Sequence, residues 1–270
     1  MPKPLESECL DQSLKYALRS FAKSQNISYK QTMQPEIPSG LIVIDKAPNM
    51  TSHDVVAIAR GALKIKKIGH CGTLDPMATG VLMLLINKAT KLQDMLMVEN
   101  KVYEGSLKLG ITTDSQDADG DPVEEKEVPE FSEYDISNAF DKYRGNFEQM
   151  PPMVSAIKKD GVRLYKLARQ GKVVERDPRP VKVNDYQIHN INLPDIDFTV
   201  HCSKGFYVRT YAHDIGADLG CGAHLSALRR TMSGKFDLRN SIPAMDLKTI
   251  GREAILDKLI TLEQIAEIIK

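Results

Sequence analysis

The segment Gly69–Leu82 (GHCGTLDPMATGVL) concentrates groups that could do chemistry. It presents one acid, Asp75, in a glycine-rich loop directly before Pro76 and a long apolar run. Pro76 fixes its own φ and restricts Asp75 to extended conformations. A carboxylate held rigidly beside an apolar wall is partly desolvated and poised for nucleophilic or acid–base work. The same residues also read as an Asp-Pro turn with His70 as a capping group, and residue types alone leave both readings open. The phosphate-binding pattern G-x-x-x-x-G-K-[ST], a G-x-G-x-x-G after a strand and the zinc-deaminase pattern are all missing. The histidines lack metal-ligand spacing, and Cys9, Cys71, Cys202 and Cys221 are scattered without a C-x-x-C. We therefore expect chemistry without metal or cofactor, and a reduced, cytoplasmic compartment.

The elements that must position Asp75 follow from periodicity. Gly40–Ile44 reads as a buried strand, followed by a polar loop from Asp45 to Asn49. Thr51–Asp54 is a helix start, with Val55, Val56, Ile58, Ala59 and Leu63 as the inner face. Residues 70–76 are loop, and Ala78–Asn87 is apolar enough to be buried. Tyr103–Leu109 alternates like a strand, so Tyr103 alone could be an ordinary half-buried strand residue. Residues 114–129 read as acidic loop and 131–143 as helix. Strands are expected at 181–191 and 198–203, and a helix at 207–219. The tail, with Ile250, Ile255, Leu259, Leu262, Ile265 and Ile269, reads as helical. Strands and helices mix without regular alternation, which gives an α+β fold with a mostly antiparallel sheet and flanking helices. Leu10, Leu14, Leu18 and Phe21 suggest a short amphipathic helix ahead of a Pro/Gly linker.

The 270 residues are 42% hydrophobic and 27% charged, ordinary for a globular protein, and no apolar run approaches a membrane span. Formal net charge is zero, but its distribution is uneven. Residues 114–135 hold ten acids against one base, and residues 158–182 hold nine bases against three acids. A local basic stretch can grip phosphates even when the total is neutral; the pattern equally describes two solvated faces of opposite sign.

The glycine-rich segment resembles the catalytic motif of the TruB-type pseudouridine synthases, approximately G-H-x-G-T-L-D-P-x-A-T-G-x-L. Further matches follow in the family's order. They are Asp45-Lys46 with Thr51–Asp54, and Lys101–Tyr103 with Leu109–Asp114 and Asp117–Gly120. Pro151–Lys158 with Gly161, Tyr165 and Ala168–Gly171 resembles the family's RNA-gripping insertion. Ser203–Thr210, Gly222–Leu225 and Leu228–Thr231 resemble its last catalytic segments. The resemblance spans residues 40–236 and implies the pseudouridine-synthase core. It implies that Asp75 is the catalytic carboxylate, with Arg209 paired to it, and that Tyr103 packs on the target base and handles a proton. It further implies that Tyr207 lines the uracil pocket and that His70 fills the gap left by a flipped uridine. Lys46 would touch RNA or buttress the pocket, and Lys158, Arg163 and Arg169 would contact RNA. The substrate implied is uridine 55 in the T loop of tRNA, converted to pseudouridine by base flipping. The alternative is a non-catalytic RNA-binding or tRNA-folding factor on the same scaffold.

Two departures from the family pattern bear on the site. The family's first motif reads D-K-P-x-G, whereas here it is Asp45-Lys46-Ala47-Pro48-Asn49. Asn tolerates the left-handed region better than other non-glycine residues, so the loop is expected to survive. The 34 residues after Phe236 are too few for a full RNA-binding PUA domain. The expected organisation is an N-terminal extension (1–38), a catalytic domain (39–240, insertion 151–182) and a short helical tail (241–270). The expected partner is the tRNA T-stem loop, with no obligate protein partner, no membrane and a monomeric state.

Overall fold

The computed structural model describes residues 38–269 except 156, 160, 169 and 173; the side chains of 158, 159, 163, 165 and 166 also lie outside the description. The expected N-terminal helix lies outside the described residues.

The first strand, β1 (Gly40–Lys46), is buried on both faces and pairs antiparallel with β3 (Thr79–Ile86), itself almost wholly buried. Both read as continuous apolar runs because neither has a solvent face. Between them lie α1 (Ser52–Leu63) and the short β2 (Ile68–Cys71), which pairs with β3. Helix α1 starts with a reciprocal capping box, Thr51 and Asp54 each accepting from the other's backbone amide. Its buried face is Val55, Val56, Ala59 and Leu63, much as periodicity expects. After a 3-10 turn and α2 (Gln93–Met97) comes β4 (Lys101–Leu109), whose odd-numbered residues are buried.

The acidic stretch departs from the expected loop. Within it β6 (Pro122–Glu125), fully exposed, pairs as a hairpin with β5 (Ile111–Thr113) just ahead of it. Next come α3 (Glu133–Asp141) and β7 (Gly145–Gln149). The insertion carries a small hairpin of β8 (Lys158–Lys159) and β9 (Val162–Arg163), then α4 (Leu164–Ala168). Two long strands follow, β10 (Arg179–Asn192) and β11 (Asp195–Cys202), then α5 (Val208–Asp218). Residues 223–233, with no strand expectation above, form β12 (Ala223–Ser233), and β13 (Phe236–Asp237) folds back on it.

Among the described residues eleven strands form one sheet. Its main order is β14-β1-β3-β12-β4-β11-β10-β7, where β14 is Ile242–Pro243. Pairing is antiparallel except β1 with β14 and β3 with β12. The tail differs from one continuous helix: α6 (Arg252–Leu256), β15 (Ile260–Thr261) and α7 (Leu262–Ile268) succeed one another, and β15 pairs with β1. An edge-to-face aromatic set ties α5 to the sheet. The Tyr211 ring lies 5.6 Å from Phe140 of α3 and 5.9 Å from Phe198 of β11. That packing fixes the turn of α5 carrying Arg209. No helix among the described residues is long and apolar enough to cross a membrane.

Candidate active site

The loop 72–78 between β2 and β3 is held by residues far from it in sequence. Ser52, at the start of α1, takes both polar backbone atoms of Leu74: its hydroxyl donates to the carbonyl at 3.1 Å and accepts from the amide at 2.9 Å. The Pro76 carbonyl accepts from the Asn49 amide at 3.0 Å and from Lys46 Nζ at 3.1 Å. Asp75 is thus clamped on both sides through its neighbours' backbone. Asn49 has φ 60°, so it sits in the left-handed region that the sequence reading allowed for it.

Lys46 is fully buried. Besides Pro76, its ammonium donates to the carbonyls of Ala47 at 2.8 Å and Met50 at 2.7 Å. Three donors meet three acceptors, so Lys46 is a buttress of the loop and not a group open to RNA. Burial pushes its pKa down to about 8, against the opposing pull of Asp75.

Arg209, in the first turn of α5, faces this loop. Its Nε lies 2.9 Å from Asp75 Oδ2 and 3.5 Å from Asp117 Oδ2. Its Nη1 donates to the Ser115 carbonyl and its Nη2 to the Val154 carbonyl, both at 2.7 Å. The Arg209 and Asp117 side chains are 4% and 5% exposed, whereas Asp75 is 37% exposed. The guanidinium is therefore anchored from behind and presents Asp75 at the mouth. Asp117 was legible only as part of a matching motif; its place beside Arg209 comes from the β5–β6 hairpin. Burial raises its pKa, opposed by the Ser115 hydroxyl and by Arg209. Gln149 of β7 clasps the entry of α5, donating to the Tyr207 carbonyl at 3.0 Å and accepting from its amide at 2.8 Å. Nothing in the sequence signals that clasp, because its partners are 58 residues apart.

Asp75, Tyr103, Tyr207, Arg209, Leu228 and Arg230 line one cavity of about 250 Å³. Tyr103 faces inward from β4, and burial pushes its phenol pKa up. Burial also raises that of Tyr207. Arg230, which carries no role in the sequence reading, is fully buried with its Cζ 6.0 Å from the centre of the Tyr103 ring. His70, on β2, does not line the cavity; its ring meets that of His53 edge-on at 5.0 Å. Lys158 and Arg163 face each other across the β8–β9 hairpin by backbone register, their side chains lying outside the description, as does all of Arg169. Among the described residues no group of three or more His, Cys, Asp or Glu could hold a metal ion.

The mixed sheet and helices that carry this site have counterparts of known structure. The chain is 30% identical to one in a crystal structure of a Cbf5-Nop10-Gar1 complex, with TM-score 0.68, covering 88% of this chain and 65% of that one. It is 26% identical to one in the archaeal box H/ACA sRNP Nop10-Cbf5 complex, with TM-score 0.62, covering 88% and 64%. This chain spans just under two thirds of the length of those solved chains. Their class is the pseudouridine-synthase fold. The family model for the N-terminal domain of TruB family pseudouridylate synthases matches residues 60–208. The model for the tRNA pseudouridylate synthase B C-terminal domain matches residues 209–268. The chain belongs to the TruB family of pseudouridylate synthases. It is 49% identical over 227 residues to tRNA pseudouridine synthase B of Opitutus terrae, covering 84% of this chain and 94% of that protein. It is 47% identical over 215 residues to the protein of that name from Syntrophotalea carbinolica, covering 80% and 70%.

Proposed function

We propose that this protein isomerises uridine to pseudouridine in tRNA, at uridine 55 of the T loop, with Asp75 as the catalytic carboxylate. The observation that carries the reading is the Asp75–Arg209 contact of 2.9 Å at the mouth of a cavity that Tyr103 and Tyr207 also line. A base inside a folded RNA loop is reached only by flipping, at a cost of a few kcal/mol. Aromatic walls in the cavity offset that cost by stacking, and His70, braced by His53 beside the cavity, fills the vacated stack. The reaction breaks the bond from N1 to C1′ and forms one from C5 to C1′. C5 loses a proton and N1 gains one, so the step is redox-neutral and needs no cofactor. Asp75 attacks or otherwise activates the nucleotide, and the Tyr103 hydroxyl handles the proton. Arg209 holds the carboxylate aimed into the site. The insertion around Lys158, Arg163 and Arg169 grips the RNA backbone, and the protein works as a cytoplasmic monomer.

The test is tritium release from tRNA transcripts labelled at uracil C5, with the modified position then mapped. Release from a transcript carrying uridine 55, lost when that position alone is cytidine, is the expected result. Release undiminished by that replacement would place the target elsewhere. No release despite tRNA binding would favour a non-catalytic tRNA-folding factor.

A further inference from the structure

The geometry points to Arg230 as a positioning residue of this site, one whose buried guanidinium holds the Asp75 loop and the Tyr103 side chain in a single arrangement. The inference rests on the function proposed above. Arg230 is 1% exposed and among the largest fully buried side chains. Burying a cation is costly unless its surroundings compensate, so its contacts carry information. Nε donates to the Val81 carbonyl and Nη2 to the Gly72 carbonyl, both at 2.8 Å. Gly72 precedes Asp75 and Val81 follows it, so one planar fork spans the entry and exit of the loop. Gly72 has φ +76°, and a Cβ there would stand 3.4 Å from Nη1, so the backbone lies directly against the guanidinium.

The same group faces Tyr103. The two residues are Cα partners across β4 and β12, and the register of β12 shifts immediately after Arg230. Such irregularities re-aim side chains near functional sites. A neutral donor would satisfy two carbonyls equally well; what the charge adds is the Tyr103 ring 6.0 Å away, within cation–π reach. The titratable groups around Tyr103 are Arg230 on β12, Asp75 on the loop, Cys202 on β11 and Lys101 on β4 itself. Tyr207 and Arg209 of α5 share the cavity. Burial keeps Cys202 neutral, with its pKa pushed up to about 12, and disfavours the charged form of Lys101. Arg230 favours the Tyr103 phenolate, and Asp75 opposes it.

Three proteins, wild type, Arg230→Met and Arg230→Lys, test the inference by single-turnover tritium release at saturating tRNA. A second readout is ultraviolet titration of the Tyr103 phenol, each protein measured against its own Tyr103→Phe counterpart. Arg230→Met is expected to slow release about 100-fold at unchanged tRNA affinity, and to titrate Tyr103 higher. Arg230→Lys keeps the charge but loses the fork, so release should slow about 3- to 30-fold with the Tyr103 titration unmoved. An Arg230→Met rate within about threefold of wild type overturns the inference. So does a rate loss with the Tyr103 titration unmoved, which a merely structural arginine would produce. Should Arg230→Met fail to fold, Arg230→Gln, a neutral donor toward the same carbonyls, takes its place: slowed release with Tyr103 titrating higher supports the inference, and a full rate or an unmoved titration overturns it. Absence of release from wild type, by contrast, defeats the proposed function before Arg230 is at issue.

Discussion

Two side chains, Tyr103 and Lys46, show how burial assigns different work to polar groups in one small region. Tyr103 lines the cavity with its phenol pKa raised by burial, so it stays protonated across the neutral range. If that hydroxyl handles the proton, Tyr103→Phe keeps the stacking ring and loses the chemistry. Single-turnover release should fall about 10²- to 10⁴-fold while tRNA affinity stays put. A variant as fast as wild type would confine Tyr103 to packing. Lys46 has the opposite place, sealed behind the loop with its pKa lowered from 10.5 to about 8. Between those values the unfolded chain binds the Lys46 proton and the folded chain does not, so stability rises with pH through that window. Below about pH 8 the full cost of the buried charge is present, about 3 kcal/mol for a shift of this size. Urea unfolding of wild type and Lys46→Met from pH 7 to 10.5 reads this out. The stability difference should move toward wild type by up to that amount, and a pH-independent difference would contradict the assignment.

Elements hold the site by contacts that cross long stretches of chain. Ser52 is the clearest case, a buried helix-start hydroxyl spent on the backbone of the residue before Asp75. Ser52→Ala leaves two backbone groups unpaired and should cost about 1–3 kcal/mol in urea unfolding. It should also slow release more than it weakens tRNA binding, and an equal loss of both would mean that the clasp does not aim Asp75. Sequence periodicity reaches β1, α1, β3, β4 and α5 because each has one simple pattern of buried positions. It misses β12, where Arg229 and Arg230 stand mid-strand. Two adjacent arginines interrupt any apolar alternation; in the fold one pairs with Asp45 and the other is buried against Gly72. It also misreads the tail, whose apolar spacing suits a helix but whose Ile260 instead extends the sheet beside Leu41. At the site, Asp75, Tyr103, Tyr207 and Arg209 were legible through a resemblance of ordered motifs. Asp117, Gln149 and Ser52 act through contacts that no spacing in the chain announces.

For the molecule as a whole, the zero net charge conceals an acidic hairpin region and a basic insertion. RNA affinity should therefore depend on the insertion and not on the total. Raising salt should weaken tRNA binding with a log–log slope of about −0.7 to −0.9 per phosphate contact. Replacing Lys158, Arg163 and Arg169 together by Ala should flatten that slope and weaken binding, leaving the single-turnover rate at saturation near wild type. An unchanged slope would remove the insertion from the RNA interface. The tail, in turn, belongs mechanically to the sheet, since β14 and β15 both pair with β1, the strand that leads to Lys46.

The most direct test of the central claim is tritium release by Asp75→Asn, measured beside tRNA binding by the same preparation. Asparagine keeps the shape of the side chain and the packing of the loop while removing the charge that Arg209 braces. The account predicts release abolished with tRNA affinity within about threefold of wild type. Turnover retained in Asp75→Asn would contradict it outright, whatever the fold and the family of the chain.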